Sequence, residues 1–357
     1  MPLPAHTQVF EDAITITPVS SHVYSAYLRD EWCIGAVPHG GYTTSVLAKL
    51  AKTHFAHTHP NLSTSPATPI SIQLSFLRRT DVGPALLTVE DMKIGARTST
   101  IHVLLKQRSK SKFKKEEGEE EVKVAGYITL SPAAAETGIT AQTSWALYPP
   151  PPGPVNLRAL ASTGRDGAWV RIPAPFVQFR RAAANVEFYG PDPARLEAEA
   201  GDGRRAIMVD QWARFRPLGP DGKPLEGCWT DDTIGFLVDM FPMMLDGFDV
   251  ISSAAQDPNA AAQKGNSPRG TFWYPTVTLN VDYKKRLPVE GVEWLYSRVQ
   301  TKAVKDGRTD IDVTVLDESG DIVALSTQVG LVVSASRNLA GRDLKKVKVD
   351  AQGKANL

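Results

Sequence analysis

Two stretches in opposite halves of the chain carry the same pattern. Residues 69–76 read Pro-Ile-Ser-Ile-Gln-Leu-Ser-Phe and residues 275–282 read Pro-Thr-Val-Thr-Leu-Asn-Val-Asp. Ile70, Ile72, Leu74 and Phe76 fall on one face of the first, and Val277, Leu279, Val281 and Tyr283 on one face of the second. That is the period of a half-buried strand. Each stretch follows a helical pattern and a loop, and each precedes three further strand patterns. These cover 86–92, 98–106 and 122–130 in the first half, and 294–304, 310–316 and 322–333 in the second. Gly95 and Gly307 mark a turn before the third strand of their halves. A short leading strand within 10–28 and strands over 176–180 and 207–215 complete the two sets. An internal repeat of this size implies two copies of one unit packed together, each an antiparallel sheet curled around a single central helix.

The first central helix, about 42–57, sets Tyr42, Val46, Leu47, Leu50, Ala51 and Phe55 on one apolar stripe. It is reached through Trp32-Cys-Ile-Gly-Ala-Val-Pro-His-Gly-Gly-Tyr42. His39-Gly40-Gly41 leaves backbone N–H groups bare at the helix start, where an oxyanion or phosphate can dock. Plain turn geometry accounts for the two glycines as well. The second helix, over 233–248, is apolar at nearly every position from 234 to 245, so it needs other structure on all sides. Asp239 is the single carboxylate inside that run. An isolated buried carboxylate has a raised pKa, which makes Asp239 a candidate general base. A wet strip along the helix is the alternative.

Composition narrows the field. The chain has 357 residues, 42% of them hydrophobic, and a formal net charge of +1. That reads as a soluble globular protein with no reason to bind nucleic acid or an anionic membrane. Cys33 and Cys228 lie far apart, which suits a reducing intracellular compartment and not a disulfide scaffold or zinc cluster. No apolar run is long enough to span a bilayer, and the N-terminus lacks a signal pattern, so no membrane insertion is expected. His54, His57 and His59 lack the carboxylate or cysteine neighbours of a zinc site and fit a frayed helix end, so no metal is expected. Without a Gly-x-Ser-x-Gly elbow, a dinucleotide fingerprint or a P-loop, no cofactor is expected either. The expected organisation is a first unit over 1–131, a Pro/Ala/Gly-rich linker over 132–168, a second unit over 169–338 and a basic tail over 339–357. A basic-then-acidic hairpin tip (110–121) and a polar insertion (252–269) interrupt the units. The final Lys354-Ala-Asn-Leu357 resembles a degenerate peroxisomal address, so a peroxisomal location is expected, with the cytoplasm as the alternative.

A helix wrapped by a sheet and duplicated in one chain resembles the double hotdog of the acyl-CoA thioesterase II and thioesterase-like superfamily. The resemblance covers roughly 21–334. The 32–42 loop is similar to that family's Gly-Gly lead into its first helix, and Phe76-Leu-Arg78 to its Phe-Leu-Arg-Pro strand end, with Arg79 in place of Pro. Leu237-Val-Asp-Met-Phe-Pro242 resembles its second helix, and Val323-Ala-Leu-Ser-Thr-Gln-Val-Gly330 its last strand. The resemblance implies an α+β double hotdog, with two antiparallel sheets each wrapped around a central helix. It also implies hydrolysis of acyl-CoA or an acyl-carrier thioester by a water held by Asp239, Thr278 and Gln328. Asp232 is the rival for the acid, as a helix N-cap. His39, Gly40, Gly41 and Tyr42 are the expected substrate contacts, with backbone N–H groups beside the glycines receiving the carbonyl oxygen. The strand after Thr278 runs Asn280-Val-Asp-Tyr-Lys-Lys where bacterial members have Asp-His and aromatics, and Val329 replaces Glu. These departures keep two alternatives in view: a non-hydrolytic acyl-binding or accessory protein, and a hotdog dehydratase using His39. Exposed sheet edges in this fold also suit a homo-oligomer.

Overall fold

The computed structural model describes residues 8–62, 64–109, 119–174, 177–192, 208–240, 272–334 and 336–339. Their main feature is one continuous 15-stranded sheet. The first half supplies β1 (Thr17–Pro18), β2 (Val23–Leu28), β3 (Ala67–Phe76), β4 (Gly83–Lys93), β5 (Ser99–Arg108) and β6 (Glu120–Pro132). The second supplies β7 (Arg165–Asp166), β8 (Trp169–Ile172), β9 (Val186–Pro191), β10 (Met208–Phe215) and β11 (Thr276–Tyr283). It ends with β12 (Trp294–Gln300), β13 (Val304–Lys305), β14 (Arg308–Leu316) and β15 (Ile322–Leu331).

The strand order is β1-β2-β4-β5-β6-β3-β11-β15-β14-β12-β10-β9-β8-β7, with β13 beside β14. Read outward from the middle, β3-β6-β5-β4-β2 on one side is matched by β11-β15-β14-β12-β10 on the other. The sequence repeat is thus a repeat of topology. Its two echoed stretches are neighbours, because β3 pairs antiparallel with β11, Leu74 opposite Leu279 and Ile72 opposite Val281. This corrects the expectation of two separate sheets. Each unit closes one sheet edge by hydrogen-bonding it to the edge of its copy, which hides two rows of unpaired backbone groups.

The helices are α1 (Gln8–Ala13), α2 (Gly40–Thr58), α3 (Leu157–Thr163), α4 (Ile234–Val238) and α5 (Ser336–Leu339). α2 lies against β2, β3, β5, β6 and α4, which explains why its small polar residues Thr43, Thr44 and Ser45 are buried along with its apolar stripe. α4 is buried at every position but is shorter than the sequence predicts. A turn, Asp231–Thr233, leads in through reciprocal Thr230–Thr233 capping, and Asp239 closes the helix at φ −102°, ψ 8°. The rest of the expected helix and the 252–269 insertion lie outside the described residues. α2 and α4 meet backbone to backbone. A Cβ on Gly41 would stand 2.6 Å from the Gly235 oxygen and 2.8 Å from that of Phe236, so only glycine permits this approach.

An aromatic core shared by both halves packs behind this contact. Phe10 meets Trp32 and Phe215 edge-on, and Trp32 meets Phe236 likewise. Tyr42 belongs to this core and not to a substrate site. It is fully buried, its hydroxyl donates to the Ala13 oxygen at 2.7 Å, and it accepts from the Arg29 N–H at 3.3 Å. The expected linker is also more than a spacer. α3 lies within it, capped by the Asn156 side chain and by a left-handed Gly164. Trp169 and Arg298 donate to the carbonyls of Pro152 and Pro149, fastening the proline run to the second half. Residues 177–179 form a turn where a strand was expected. Prediction and structure differ there because only the tertiary pairing of β9 with β8 and β10 fixes which segment is extended.

Candidate active site

The start of α2 and the end of α4 bring residues from both halves of the repeat together. The first N–H groups of a helix have no intrahelical partner. Here the Gly41 N–H donates to Asp239 Oδ2 at 2.7 Å. Thr276, at the head of β11, donates its hydroxyl to Oδ1 at 3.0 Å. His39 Nε2 faces the Asp239 backbone oxygen at 2.9 Å, so this nitrogen carries the proton, and it lies 3.5 Å from Oδ2. The Gln328 side-chain amide donates to the Val238 oxygen at 2.7 Å and so holds the end of α4. Gly40 makes room for the acid, since a Cβ there would stand 2.5 Å from Oδ2.

Electrostatics follow from burial. Asp239 is 3% exposed. Burial pushes its carboxyl above the ordinary range, and the His39 ring, the Thr276 hydroxyl and the Gly41 N–H pull it back without cancelling that. Burial likewise pushes His39 below its usual value against the attraction of Asp239. The imidazole is therefore neutral near pH 7. Its buried Nδ1 has no hydrogen-bond partner among the described residues.

Asp239, Thr276, His39 and Gly40 line a cavity of about 530 Å³. Ile34, Phe76, Met240 and Leu331 give it apolar walls, and Arg78, Arg79, Arg180 and Arg337 also face it. Such a cavity can take an apolar chain with an anionic head, and it presents a buried carboxylate to whatever lies between.

The predicted residues are only partly gathered. Asp239, His39, Gly40 and Gly41 come together, and Gln328 supports them from beneath. The hydroxyl on the acid is that of Thr276, not Thr278. A β-bulge between Thr276 and Thr278 explains the change. Leu279 sits opposite Gln328 on the core side, while Thr278 sits opposite the half-exposed Val329 on the outer side. Past the bulge Thr276, opposite Gly330, returns to the core side. The sequence offers Pro275 as a hint of irregularity but nothing that locates the extra residue. The Gly41 N–H, expected to meet a substrate carbonyl, is already engaged by Asp239. Asp232 is an ion-paired structural residue. Burial pushes it up, but Lys52 and Lys49 at 2.7 and 3.2 Å more than offset this and hold it below the ordinary carboxylate range.

The fold and this site define the class. The acyl-CoA thioesterase N-terminal domain matches residues 28–131 and the acyl-CoA thioesterase C-terminal domain matches 154–332. The chain belongs to the acyl-CoA thioesterase family. Among individual proteins, it is 29% identical over 349 residues to the thioesterase-like protein TwmA of Talaromyces wortmannii, covering 92% of this chain and 93% of that one. Its structure resembles that of a putative thioesterase II from Thermobifida fusca, with a TM-score of 0.61, 17% identity and coverage of 93% and 99% of the two chains. It also resembles a hot dog protein of unknown function from Alicyclobacillus acidocaldarius, with a TM-score of 0.60, 16% identity and coverage of 91% and 98%. At these identities the two structures speak for the hot dog fold alone.

Proposed function

We propose that the chain hydrolyses acyl-CoA or a related acyl thioester to free acid and thiol. The observation that carries this reading is a buried carboxylate with raised proton affinity, fixed from both sides, in the wall of a cavity that is apolar and arginine-lined. Asp239 takes a proton from water as the water oxygen bonds to the thioester carbonyl carbon. The C–S bond then breaks and the proton passes to the departing thiolate. Thr276 and Gly41 hold the carboxylate in aim, Gln328 holds the backbone that carries it, and the Gly40 N–H at the start of α2 serves the carbonyl oxygen. The arginines suit the phosphates of CoA or of a carrier's phosphopantetheine arm.

A second reading rests on one contact. The 3.5 Å approach of His39 to Asp239 across the two halves is the histidine–acid pairing of a dehydratase acting on β-hydroxyacyl thioesters. A panel of acyl-CoAs assayed for thiol release separates the readings, with Asp239→Asn as control. Thiol release that fails in the variant supports hydrolysis. Loss of water from a β-hydroxyacyl thioester without thiol release moves the assignment to dehydration. Acyl-CoA binding with neither reaction leaves a non-hydrolytic acyl-binding protein.

A further inference from the structure

A second cluster occupies the opposite end of α2, where His54 stands roughly 20 Å along the helix from Gly41 at 1.5 Å per residue. The sequence separates its members, so His54 and His59 showed no acidic neighbour. The fold supplies one, Asp91 of β4. His54 Nε2 lies 2.9 Å from Asp91 Oδ1, while His59 Nε2 and His22 Nε2 lie 2.9 and 3.4 Å from Oδ2. The ligand atoms of His22, His54 and Asp91 all fall within 4.8 Å of one another. His22 comes from the turn before β2, His54 from α2 and His59 from its C-cap, so three elements converge on one carboxylate.

The hydrogen bonds behind the cluster favour one presentation of His54. Tyr24 donates its hydroxyl proton to the Ser21 oxygen at 2.8 Å, and Thr58 donates to the same oxygen at 3.1 Å. Both hydroxyls therefore offer lone pairs to His54 Nδ1, at 2.9 and 3.4 Å. In the tautomer these bonds favour, Nδ1 carries the proton, and the Nε2 of the neutral ring turns its lone pair toward a carboxylate oxygen. Two acceptors at that distance repel unless a proton or a metal ion lies between them. A tyrosine behind the distal nitrogen is the outer support that metal-binding imidazoles show. The C-terminal end of α2 adds the negative end of the helix dipole on the same side.

We propose that His22 and His54, through Nε2, and Asp91, through its carboxylate, bind one divalent transition-metal ion, with His59 Nε2, 2.9 Å from the same carboxylate, holding that carboxylate in place. Two imidazoles and a carboxylate without thiolate, with a water in the fourth position, suit Zn²⁺, at nitrogen–metal distances of about 2.0–2.1 Å. The ion ties the β1–β2 turn, the end of α2 and β4 together. It stands apart from the Asp239 site and does not depend on the reaction proposed there.

The test uses the full chain, stripped with a chelator and titrated with Zn²⁺ or Co²⁺. The expected result is one ion per chain by elemental analysis, visible d–d bands of tetrahedral Co²⁺, and a thermal midpoint that rises with Zn²⁺ concentration. His22→Gln, at a more exposed position, should fold without metal as the parent does and lose the Co²⁺ bands and the Zn²⁺ shift together. Asp239→Asn should keep both. A stripped chain that takes up no ion at micromolar metal, or a His22→Gln variant that binds it as well as the parent, overturns the proposal and leaves a hydrogen-bonded cluster.

Discussion

The two ends of α4 carry the same side chain in opposite surroundings. Asp232, in the turn that leads in, is 7% exposed, and Asp239, where the helix closes, is 3% exposed. Both face α2. Asp232 meets Lys49 and Lys52 of that helix, while Asp239 meets Gly40 and Gly41. Two ammonium groups overcome the cost of burial at one end. At the other, a single N–H, a hydroxyl and a neutral imidazole do not. Burial alone therefore does not mark a working acid; what matters is whether its neighbours return the solvation it has lost. The duplicated fold makes this contrast possible, because α2 of one unit lies along the whole of α4 of the other.

Asp239→Asn is the strongest way to break the comparison. If Asp239 is the general base, kcat/KM for thioester hydrolysis should fall about 10²–10⁴-fold. Stability should move the other way. The folded pKa of Asp239 lies above its unfolded value near 3.9. Its contribution is thus fully present below that value and is lost as pH rises through the folded pKa. Above the folded pKa the ionised group costs stability, so there the variant's thermal midpoint should equal or exceed the parent's. The parent's activity should rise with pH through the same elevated pKa, above the usual carboxylate range. A variant as active as its parent would sink the assignment.

Gly40→Ala tests the glycine end while leaving the acid itself unsubstituted. Its methyl would enter the space of Oδ2, and displacing a catalytic group by about 1 Å can cost about 10²-fold. Steady-state kinetics should show this mainly in kcat.

Asp232→Asn sharpens the other side. It should leave kcat/KM as it is and lower stability by about 1–3 kcal/mol, as expected when charged hydrogen bonds are lost with the lysines still partly solvated. The folded pKa of Asp232 is depressed. Its contribution is therefore present above about pH 3.9 and disappears as pH falls through the folded value. Urea unfolding of the variant should lose that acid-range dependence. If the two aspartate variants exchanged phenotypes, the roles assigned here would be reversed.

Much of this arrangement is legible in the sequence because its causes are local or periodic. The alternation in 69–76 and 275–282 shows the repeat, and the unbroken apolar run around Asp239 shows that it is buried. The joining of the two sheets into one is not legible. Ile72 and Leu74 read the same whether they border a free edge or their own copy. The core role of Tyr42 is not legible either, because its helical stripe fits a core and a pocket wall equally well. The gathering of His22, His54 and His59 on Asp91 depends wholly on contacts distant in sequence. So does the engagement of the Gly41 N–H by a carboxylate from the other half.

The smallest expected effect discriminates most finely, because it turns on a single inserted residue. Thr276 and Thr278 have the same parity in the sequence and would share a face of an unbroken strand. The bulge between them sends Thr276 to Asp239 and leaves Thr278 beside Val329. Thr276→Val keeps the shape and β propensity and removes one hydroxyl that bonds a carboxylate. The loss is about 1.5 kcal/mol, or roughly tenfold in kcat/KM. With that donor gone the carboxylate holds its proton more tightly, so the acid limb of the pH–rate profile should also move to higher pH. Thr278→Val should change neither. If Thr278→Val were the damaging substitution, β11 would run without its bulge and Asp239 would be held as the unbroken alternation predicts.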